Sequence, residues 1–178
     1  MSVFLFFKNT KYDYGIVSRL MHWMSVILLV TLIIVSGQFE DLAESDEKRE
    51  LIQLHSSFGI VFFLLVMMRF YWRQVNLNPV LSYDIAGWQK YAAIYLHRLI
   101  YIILIFQCVL GFLMLFCSGE VVSFFDFEIG KGFKQTLGLS ELAKWLHSLV
   151  SILIYPLFAV HISAAIYHQI FGVVDKKA

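Results

Sequence analysis

The 178-residue chain contains little charge and almost no proline or cysteine. Asp, Glu, Lys and Arg make up 15% of its residues, whereas a typical soluble domain contains about 25%. Hydrophobic residues make up 60%, and they occur in runs close to the roughly 20 residues with which an apolar helix crosses a bilayer. This distribution argues against a soluble domain with a very large core and predicts an integral membrane protein.

The chain has two cysteines, Cys108 and Cys117, which lie nine residues apart in one apolar stretch. On a helix they would be about 13 Å apart along the axis, which is too far for a disulfide bond. Neither belongs to a CxxCH motif, so covalent attachment of a c-type haem is excluded. We interpret both cysteines as packing residues.

Four segments are almost free of charge, and polar loops separate them. The apolar run that ends at Phe7 is too short for a signal peptide. A signal peptide also has positive charge before its apolar region, whereas here Lys8 comes after it. We therefore expect the first span to be retained. No repeat or linker divides residues 1–178 into domains. The sequence thus predicts an all-α integral membrane four-helix bundle in a single domain, with spans at about 16–37, 51–72, 92–117 and 142–172.

The basic residues are distributed unequally between the two sides of the membrane. Four spans put both termini and the loop between the second and third spans on one side, which has nine basic and three acidic residues, a net charge of about +6. The basic residues there are Lys8, Lys11, Arg19, Arg69, Arg73, Lys90, Arg98, Lys176 and Lys177. The other side has ten acidic residues, a net charge of about −5, and five basic residues, which are Lys48, Arg49, Lys131, Lys134 and Lys144. The positive-inside rule therefore predicts cytoplasmic termini.

Four of the six histidines are placed to meet in pairs. His147 and His161 are fourteen residues apart, close to four helical turns, so they share one face of the last span about 21 Å apart. His22 begins the first span on the inner side, and His55 begins the second span on the outer side. Matching depths pair His22 with His161 and His55 with His147.

Two facing imidazoles at one depth, surrounded by apolar walls, form the ligand set of a b-type haem iron. The sequence offers this arrangement twice and predicts two haem b groups, an inner one and an outer one. Zinc or copper would need three or four ligands converging on one point. A proton relay, or histidines that only hydrogen-bond between helices, remain the alternatives, although the four apolar cores contain no carboxylate that a relay would use.

Three further polar residues lie at the inner level without an assigned partner. His97 and Arg98 begin the third span, and His168 follows His161 by seven residues, which is two turns on the same face. They are candidates for contacts to haem propionates or to a quinone carbonyl. The alternative interpretation is an interfacial histidine and a snorkelling arginine.

With these motifs in order, the chain resembles the bacterial cytochrome b561 family, which includes the dihaem cytochrome b subunits of nickel hydrogenases. The likeness runs from about Tyr14 to Phe171. The residues that carry it are Arg19, His22 and Trp23 in SRLMHWMSV, His55 and Gly59 in LHSSFGI, Arg69 in LLVMMRFYWR, His97 in YLHRLIYIIL, Gly111 in LGFLML, His147 in WLHSLVS, and His161 and His168 in HISAAIYH. The resemblance implies a four-helix bundle with two haem b groups, held by His22 with His161 and by His55 with His147.

The resemblance also implies electron transfer between the periplasmic side and the quinone pool of a bacterial inner membrane. In length, and in having no appended domain, the chain is more similar to the superoxide:ubiquinone oxidoreductase branch than to the hydrogenase subunits. The acidic outer face, however, does not suit an anionic substrate such as superoxide. The alternative is an electron carrier or anchor subunit whose acidic loops bind a soluble redox partner. The expected partners are therefore lipid, quinone and an outer electron donor, and not nucleic acid.

Overall fold

The structure is a computed structural model in which residues 7–79, 86–119, 121–132 and 136–171 are described. Its described secondary structure from residue 16 onward is helix α1 (Ile16–Glu40), helix α2 (Asp46–Val75), helix α3 (Gly87–Cys117), strands β1 (Val121–Phe124) and β2 (Phe127–Lys131), and helix α4 (Leu137–Phe171). Each of the four helices contains a segment long and apolar enough to cross a membrane. The predicted fold of four long apolar helices is confirmed.

Some expectations from the sequence concern residues outside the described part of the chain. They are the end of the fourth span at residue 172, the first residues of the apolar N-terminal run, and the charges of Asp84, Glu120, Lys134, Asp175, Lys176 and Lys177. The side on which the termini lie stays a prediction, as do the exact membrane boundaries of the spans and the single-domain organisation. We call the end of the bundle at which α1 begins the inner end, and the opposite end the outer end.

Helix α2 begins at the outer end with favourable local interactions. The Ser45 side chain accepts a hydrogen bond from the Lys48 backbone N–H at 3.2 Å, and Asp46 and Glu47 lie in the first turn. Both features stabilise a helix N-terminus, because they satisfy a free N–H and place negative charge at the positive end of the helix dipole. Arg73 lies in the last turn, where a cation is favourable for the same reason. The polar stretch after α1 therefore determines where α2 starts.

The four helices pack around a small apolar core midway along the bundle. Helix α1 packs along α2, α3 packs along α4, and α2 contacts α3, whereas α1 and α4 have little close backbone contact. The core contains residues from all four helices, namely Leu29, Leu32, Phe62, Val66, Leu104 and Ile154. Large apolar side chains on the outward faces, such as Ile27, Ile102 and Ile152, are each 64% exposed. This pattern suits a bundle whose outward faces contact lipid.

A β-hairpin that the sequence did not predict lies in the connection between α3 and α4. Strands β1 and β2 are antiparallel, with Phe124 opposite Phe127 at the turn and an irregularity after Val122. Phe125 has φ of 49°, which is rare for a bulky residue and persists only where its surroundings hold it. Its N–H donates to the Ser57 hydroxyl at 2.7 Å, and its carbonyl accepts from the Gln53 side chain. The hairpin is thus fastened to the outer part of α2.

The hairpin lies on the side of α2 away from His55. Gln53 and Ser57 are each two residues from His55, and two residues correspond to about 200° around a helix. Gln53 and Ser57 therefore share one face, and His55 lies on roughly the opposite one. The hairpin supports α2 from outside and leaves the histidine face of that helix free.

The segment before α1 folds back over the inner end of α2. The buried Asn9 side chain donates to the Leu77 carbonyl at 2.7 Å, and its Oδ1 accepts from the Gly15 N–H and the Ser18 hydroxyl. A side chain at Gly15 would collide with the Lys8 carbonyl. The Trp72 indole N–H also donates to the Ser18 hydroxyl at 3.0 Å. This network closes the inner end of the bundle.

Candidate functional site: two histidine pairs

The outer pair joins α2 to α4. The ring centres of His55 and His147 are 6.4 Å apart, and the planes of the two rings are inclined at 79°. Phe39 packs edge to face on His55 with ring centres 5.6 Å apart. The structure therefore brings together the two residues that were predicted from matching depth.

Backbone carbonyls orient both histidines of the outer pair. His55 Nδ1 lies 3.2 Å from the Leu32 carbonyl of α1, and His147 Nδ1 lies 3.1 Å from the Gln107 carbonyl of α3. A carbonyl can only accept, so each Nδ1 carries the proton and each Nε2 is the unprotonated nitrogen. This is the arrangement by which metal-binding histidines are usually fixed. Both outer imidazoles thus have an unprotonated Nε2 that is available to a metal.

Helix α3 also fits closely around His147. A Cβ atom added to Gly111 would lie 3.4 Å from His147 Cε1, so the ring lies directly against the glycine. The Gln107 side-chain amide donates to the His147 carbonyl at 3.1 Å and to the Ser151 hydroxyl at 2.7 Å. Gln107 therefore links α3 to the turn of α4 that carries His147 and stabilises the position of that turn.

The inner pair joins α1 to α4. The ring centres of His22 and His161 are 6.5 Å apart, and the planes of the two rings are inclined at 69°. Phe158 lies one turn before His161 with ring centres 6.3 Å apart. The second predicted pair is therefore also brought together, across the side of the bundle where α1 and α4 are farther apart.

The environment of His22 differs from that of the outer histidines. Its Nδ1 lies 3.1 Å from Nη2 of Arg69. A guanidinium only donates, so Nδ1 of His22 accepts, and the proton of the neutral ring is on Nε2. Binding iron through Nε2 requires the opposite tautomer, with the proton on Nδ1 and Arg69 moved away.

The separation of the rings tests whether the pairs fit a haem iron. A metal–imidazole bond is about 2 Å long and the ring centre lies roughly 1 Å beyond the nitrogen, so two imidazoles on opposite sides of one metal have centres about 6 Å apart. The observed 6.4 and 6.5 Å agree with that value. In residues 7–79, 86–119, 121–132 and 136–171, no three His, Cys, Asp or Glu side chains converge as a metal-ion site. The residues present fit two-ligand iron in a macrocycle better than zinc or copper.

Two adjoining cavities surround the inner pair. One of about 70 Å³ extends toward the apolar core, and the other of about 410 Å³ extends toward the inner end, where Asp13, Arg19 and Trp72 contribute to its walls. Residues that line both cavities are His22, Arg69, His97, Tyr101 and His161. The space therefore runs from the core, past the two histidines, to the segment that closes the inner end.

The other three predicted site residues occupy different surroundings. His97 lines both cavities, its ring centre is 5.2 Å from that of His161, and its Nδ1 is 2.6 Å from the Ala93 carbonyl of its own helix. Arg98 is exposed and stacks on Tyr95, and His168 packs on Tyr167. Neither Arg98 nor His168 lines the two cavities. Their roles as propionate or quinone contacts stay predictions.

Four residues of these sites had no binding role predicted from the sequence: Tyr101, Gln107, Arg69 and Arg73. Gln107 and Tyr101 are single polar residues within the apolar third span, and nothing in their spacing shows which helix they face. Arg73 follows Arg69 by four residues, which places both arginines on one face of α2. That spacing was the available signal, but Arg73 was counted only as inner-side charge, and Arg69 only as inner-side charge and as a residue of the family resemblance.

Comparisons with known proteins agree with this geometry. Residues 13–176 match the sequence profile of the family described as prokaryotic cytochrome b561. Similar curated proteins are cytochrome b561 homolog 2 of Escherichia coli K12, 24% identical over 92% of this chain and 88% of that protein, and cytochrome b561 homolog 1 of the same organism, 23% identical over 84% and 85%. The chain therefore belongs to the prokaryotic cytochrome b561 family, which carries electrons across a membrane through b-type haem.

Proposed function

We propose that this chain holds two b-type haems and transfers electrons between a donor on the outer side and ubiquinone in a bacterial inner membrane. The observation that carries the proposal is the presence of two histidine pairs with iron-like ring separations at the two ends of one bundle. His55 and His147 would hold the outer iron, and His22 and His161 the inner iron. Bound haem supplies one-electron oxidation and reduction.

The protein itself contributes position and exclusion of water. Helix α4 carries one ligand of each pair, about 21 Å apart along its axis. The buried apolar side chains between the two levels, including Phe62 and Ile154, keep water and protons out of the centre of the bundle. The carbonyls of Leu32 and Gln107 hold the outer imidazoles in the iron-binding tautomer. Electron transfer across the membrane is therefore separated from proton leakage.

The inner end is the proposed region of quinone reduction. His97 is a half-buried polar side chain at this end, on the wall of the 410 Å³ cavity into which the edge of the inner haem would extend. A quinone carbonyl is an acceptor, so it would be bound by an N–H or O–H donor of this wall. His97 is the predicted contact that the cavity includes, and because its Nδ1 faces the Ala93 carbonyl, it would donate to the quinone through Nε2 as the protonated imidazolium.

The outer donor proposed from the resemblance is superoxide. A test uses proteoliposomes that contain ubiquinone and are exposed to a superoxide generator, with ubiquinol formation as the readout. We expect faster ubiquinol formation than in protein-free liposomes, and loss of the increase in His55→Ala. A rate equal to that of protein-free liposomes would remove superoxide as the donor while leaving the haem assignment intact.

A soluble protein donor is the second candidate, and the charges of the outer end favour it. Lys48 forms an ion pair with Glu44 at 3.0 Å, and Arg49 approaches Asp46 at 3.5 Å, so two cations of this face are offset by neighbouring carboxylates. The remaining acidic side chains between α1 and α2 suit a basic partner. This candidate predicts reduction by a basic c-type cytochrome with a rate that falls steeply as salt is raised. A salt-independent rate would contradict it.

A further inference from the structure

We propose that Arg69 and Arg73 of α2 bind the propionate carboxylates of the inner haem. This inference rests on the proposed function, since it requires a haem between His22 and His161. It assigns carboxylate binding to a pair of arginines for which no binding role was predicted from the sequence. It also moves that role away from Arg98 and His168, which do not line the inner cavities.

The first support is the charge of the inner cavity. Among the described residues, its walls include the cations Arg19, Arg69 and Arg73 and one carboxylate, that of Asp13. Both ion pairs found within the described ranges lie at the outer end of the bundle. Arg69 and Arg73 are half-buried, whereas Arg19 is exposed. Half-buried guanidinium groups without a counterion are costly, so the cavity is suited to an anion.

The second support is the arrangement of the two guanidinium groups. Arg69 and Arg73 are four residues apart, and each lies over the Tyr101 ring with its central carbon 5.9 Å from the ring centre. The aromatic ring favours the cations and fixes their spacing. Haem carries two carboxylates on one edge of the macrocycle, and arginine binds carboxylates with two parallel hydrogen bonds. The two arginines over the Tyr101 ring could therefore each bind one of the two haem carboxylates.

The third support is the contact between Arg69 and His22. Arg69 donates to His22 Nδ1 in this structure, and iron binding through Nε2 places a proton on that same Nδ1. Two donors would then face each other, so the guanidinium must leave the histidine when iron binds. Because Arg69 lines both cavities around the inner pair, it remains beside the macrocycle and becomes free for a carboxylate.

The experiment compares Arg69→Gln, Arg69→Lys and Arg73→Gln with the wild-type holoprotein in detergent. Lys90→Gln is the matched control, because it removes one positive charge at the same end from a residue outside both cavities. One readout is the reduction potential of each haem from a redox titration, with the inner haem identified by its loss in His161→Ala. The other is the propionate bending band in the resonance Raman spectrum.

We expect each Arg→Gln change to stabilise the ferric form of the inner haem about tenfold, a fall of 59 mV for one electron, and to shift the propionate band. Arg69→Lys keeps the positive charge but loses the two parallel N–H groups with which arginine binds a carboxylate. It should therefore shift the propionate band while changing the reduction potential of the inner haem less than Arg69→Gln does. In Lys90→Gln, neither the potential of the inner haem nor the propionate band should change. In all variants, the potential of the outer haem should stay the same. Unchanged inner potentials and bands in both Arg→Gln variants would overturn the inference.

Two outcomes separate this inference from the proposed function. A wild-type protein without two b haems would overturn the proposed function and the inference together, whereas two haems with unmoved potentials would overturn only the role of the arginines. If Arg69→Gln does not retain the inner haem, the inference is tested with Arg73→Gln instead, through the reduction potential of the inner haem and the propionate band. The Arg73 guanidinium makes no hydrogen bond to a histidine among the described residues, so its replacement leaves the iron ligands in place.

Discussion

At the scale of single residues, the two histidine pairs differ in how they are oriented. Both outer imidazoles have a backbone carbonyl at Nδ1, supplied by Leu32 and Gln107, and backbone positions change little when a ligand binds. In the inner pair, His22 is held by the mobile side chain of Arg69. On the proposed function, the outer site would therefore be organised before haem binds, whereas the inner site would complete its hydrogen bonding on binding.

Gly111 provides a test of the outer site. An alanine there would touch His147 Cε1 at 3.4 Å, an ordinary contact distance, whereas a leucine would fill the space of the imidazole. We expect Gly111→Ala to keep both haems and Gly111→Leu to lose the outer one, which halves the haem per chain. Gly138→Leu is the matched control, because nothing lies within 4 Å of the Cβ position of that glycine in α4.

The result for Gly111 is read by quantifying haem and by electron paramagnetic resonance of the oxidised protein. The signal of the inner haem should persist in Gly111→Leu, because that haem depends on α1 and the inner part of α4. A Gly111→Leu protein with both haems and unchanged spectra would show that His147 does not lie against this glycine.

The sequence predicted which histidines meet but not what orients them. The pairing followed from helical spacing, since fourteen residues return α4 to nearly the same face and the depth of each span start supplied the partner. The contacts of Arg69 and Gln107 depend on how the helices rotate about their axes. Helix rotation is determined by packing, which a single sequence with apolar residues on most faces does not specify.

At the scale of elements, the four helices were predictable because long uncharged runs have few other structures available in lipid. The helices extend beyond the predicted spans, as α2 does by beginning at Asp46, because a capping serine and acidic first-turn residues stabilise helix outside the apolar run. The hairpin of β1 and β2 was missed, since its short strands alternate imperfectly and its main anchors on α2 are distant in sequence.

Ser57 is the residue through which the hairpin depends on α2. Its fully buried hydroxyl accepts from the Phe125 N–H at 2.7 Å and donates to the Gln53 carbonyl at 2.8 Å. We expect Ser57→Ala to leave that N–H unpaired, at a cost of about 1–3 kcal/mol to the docked hairpin. Amide hydrogen exchange of residues 121–131 should therefore speed up.

Ser56→Ala is the matched control for this experiment. The Ser56 hydroxyl donates to the same Gln53 carbonyl at 2.9 Å, so its replacement removes a comparable bond within α2 and spares the Phe125 anchor. Equal exchange of the hairpin in both variants would mean that the Ser57 hydroxyl does not hold it. Both haems should remain in both variants, because the hairpin lies away from the face of His55.

At the scale of the whole molecule, the bundle has apolar side chains on its outside and two histidine pairs inside. At most 22% of the residues in the most apolar window of any one helix are buried within the protein, which leaves outward-facing apolar surface for lipid. Close backbone contact between α1 and α4 is sparse, and it is across this side that His22 and His161 face each other. The excess of basic residues at the inner end predicts that this end faces the cytoplasm.

Whether four histidines hold two b-type haems is decided by the number of haems per chain. We would measure pyridine haemochrome in the purified wild-type protein and in His22→Ala, His55→Ala and His97→Ala, made with ample haem. We expect two haems in the wild type and one in each of the first two variants. We also expect two in His97→Ala, although the ring centre of His97 is only 5.2 Å from that of His161. A wild type with fewer than two haems, or a haem lost with His97 and kept without His22, would show that these four histidines are not the ligands of two haems.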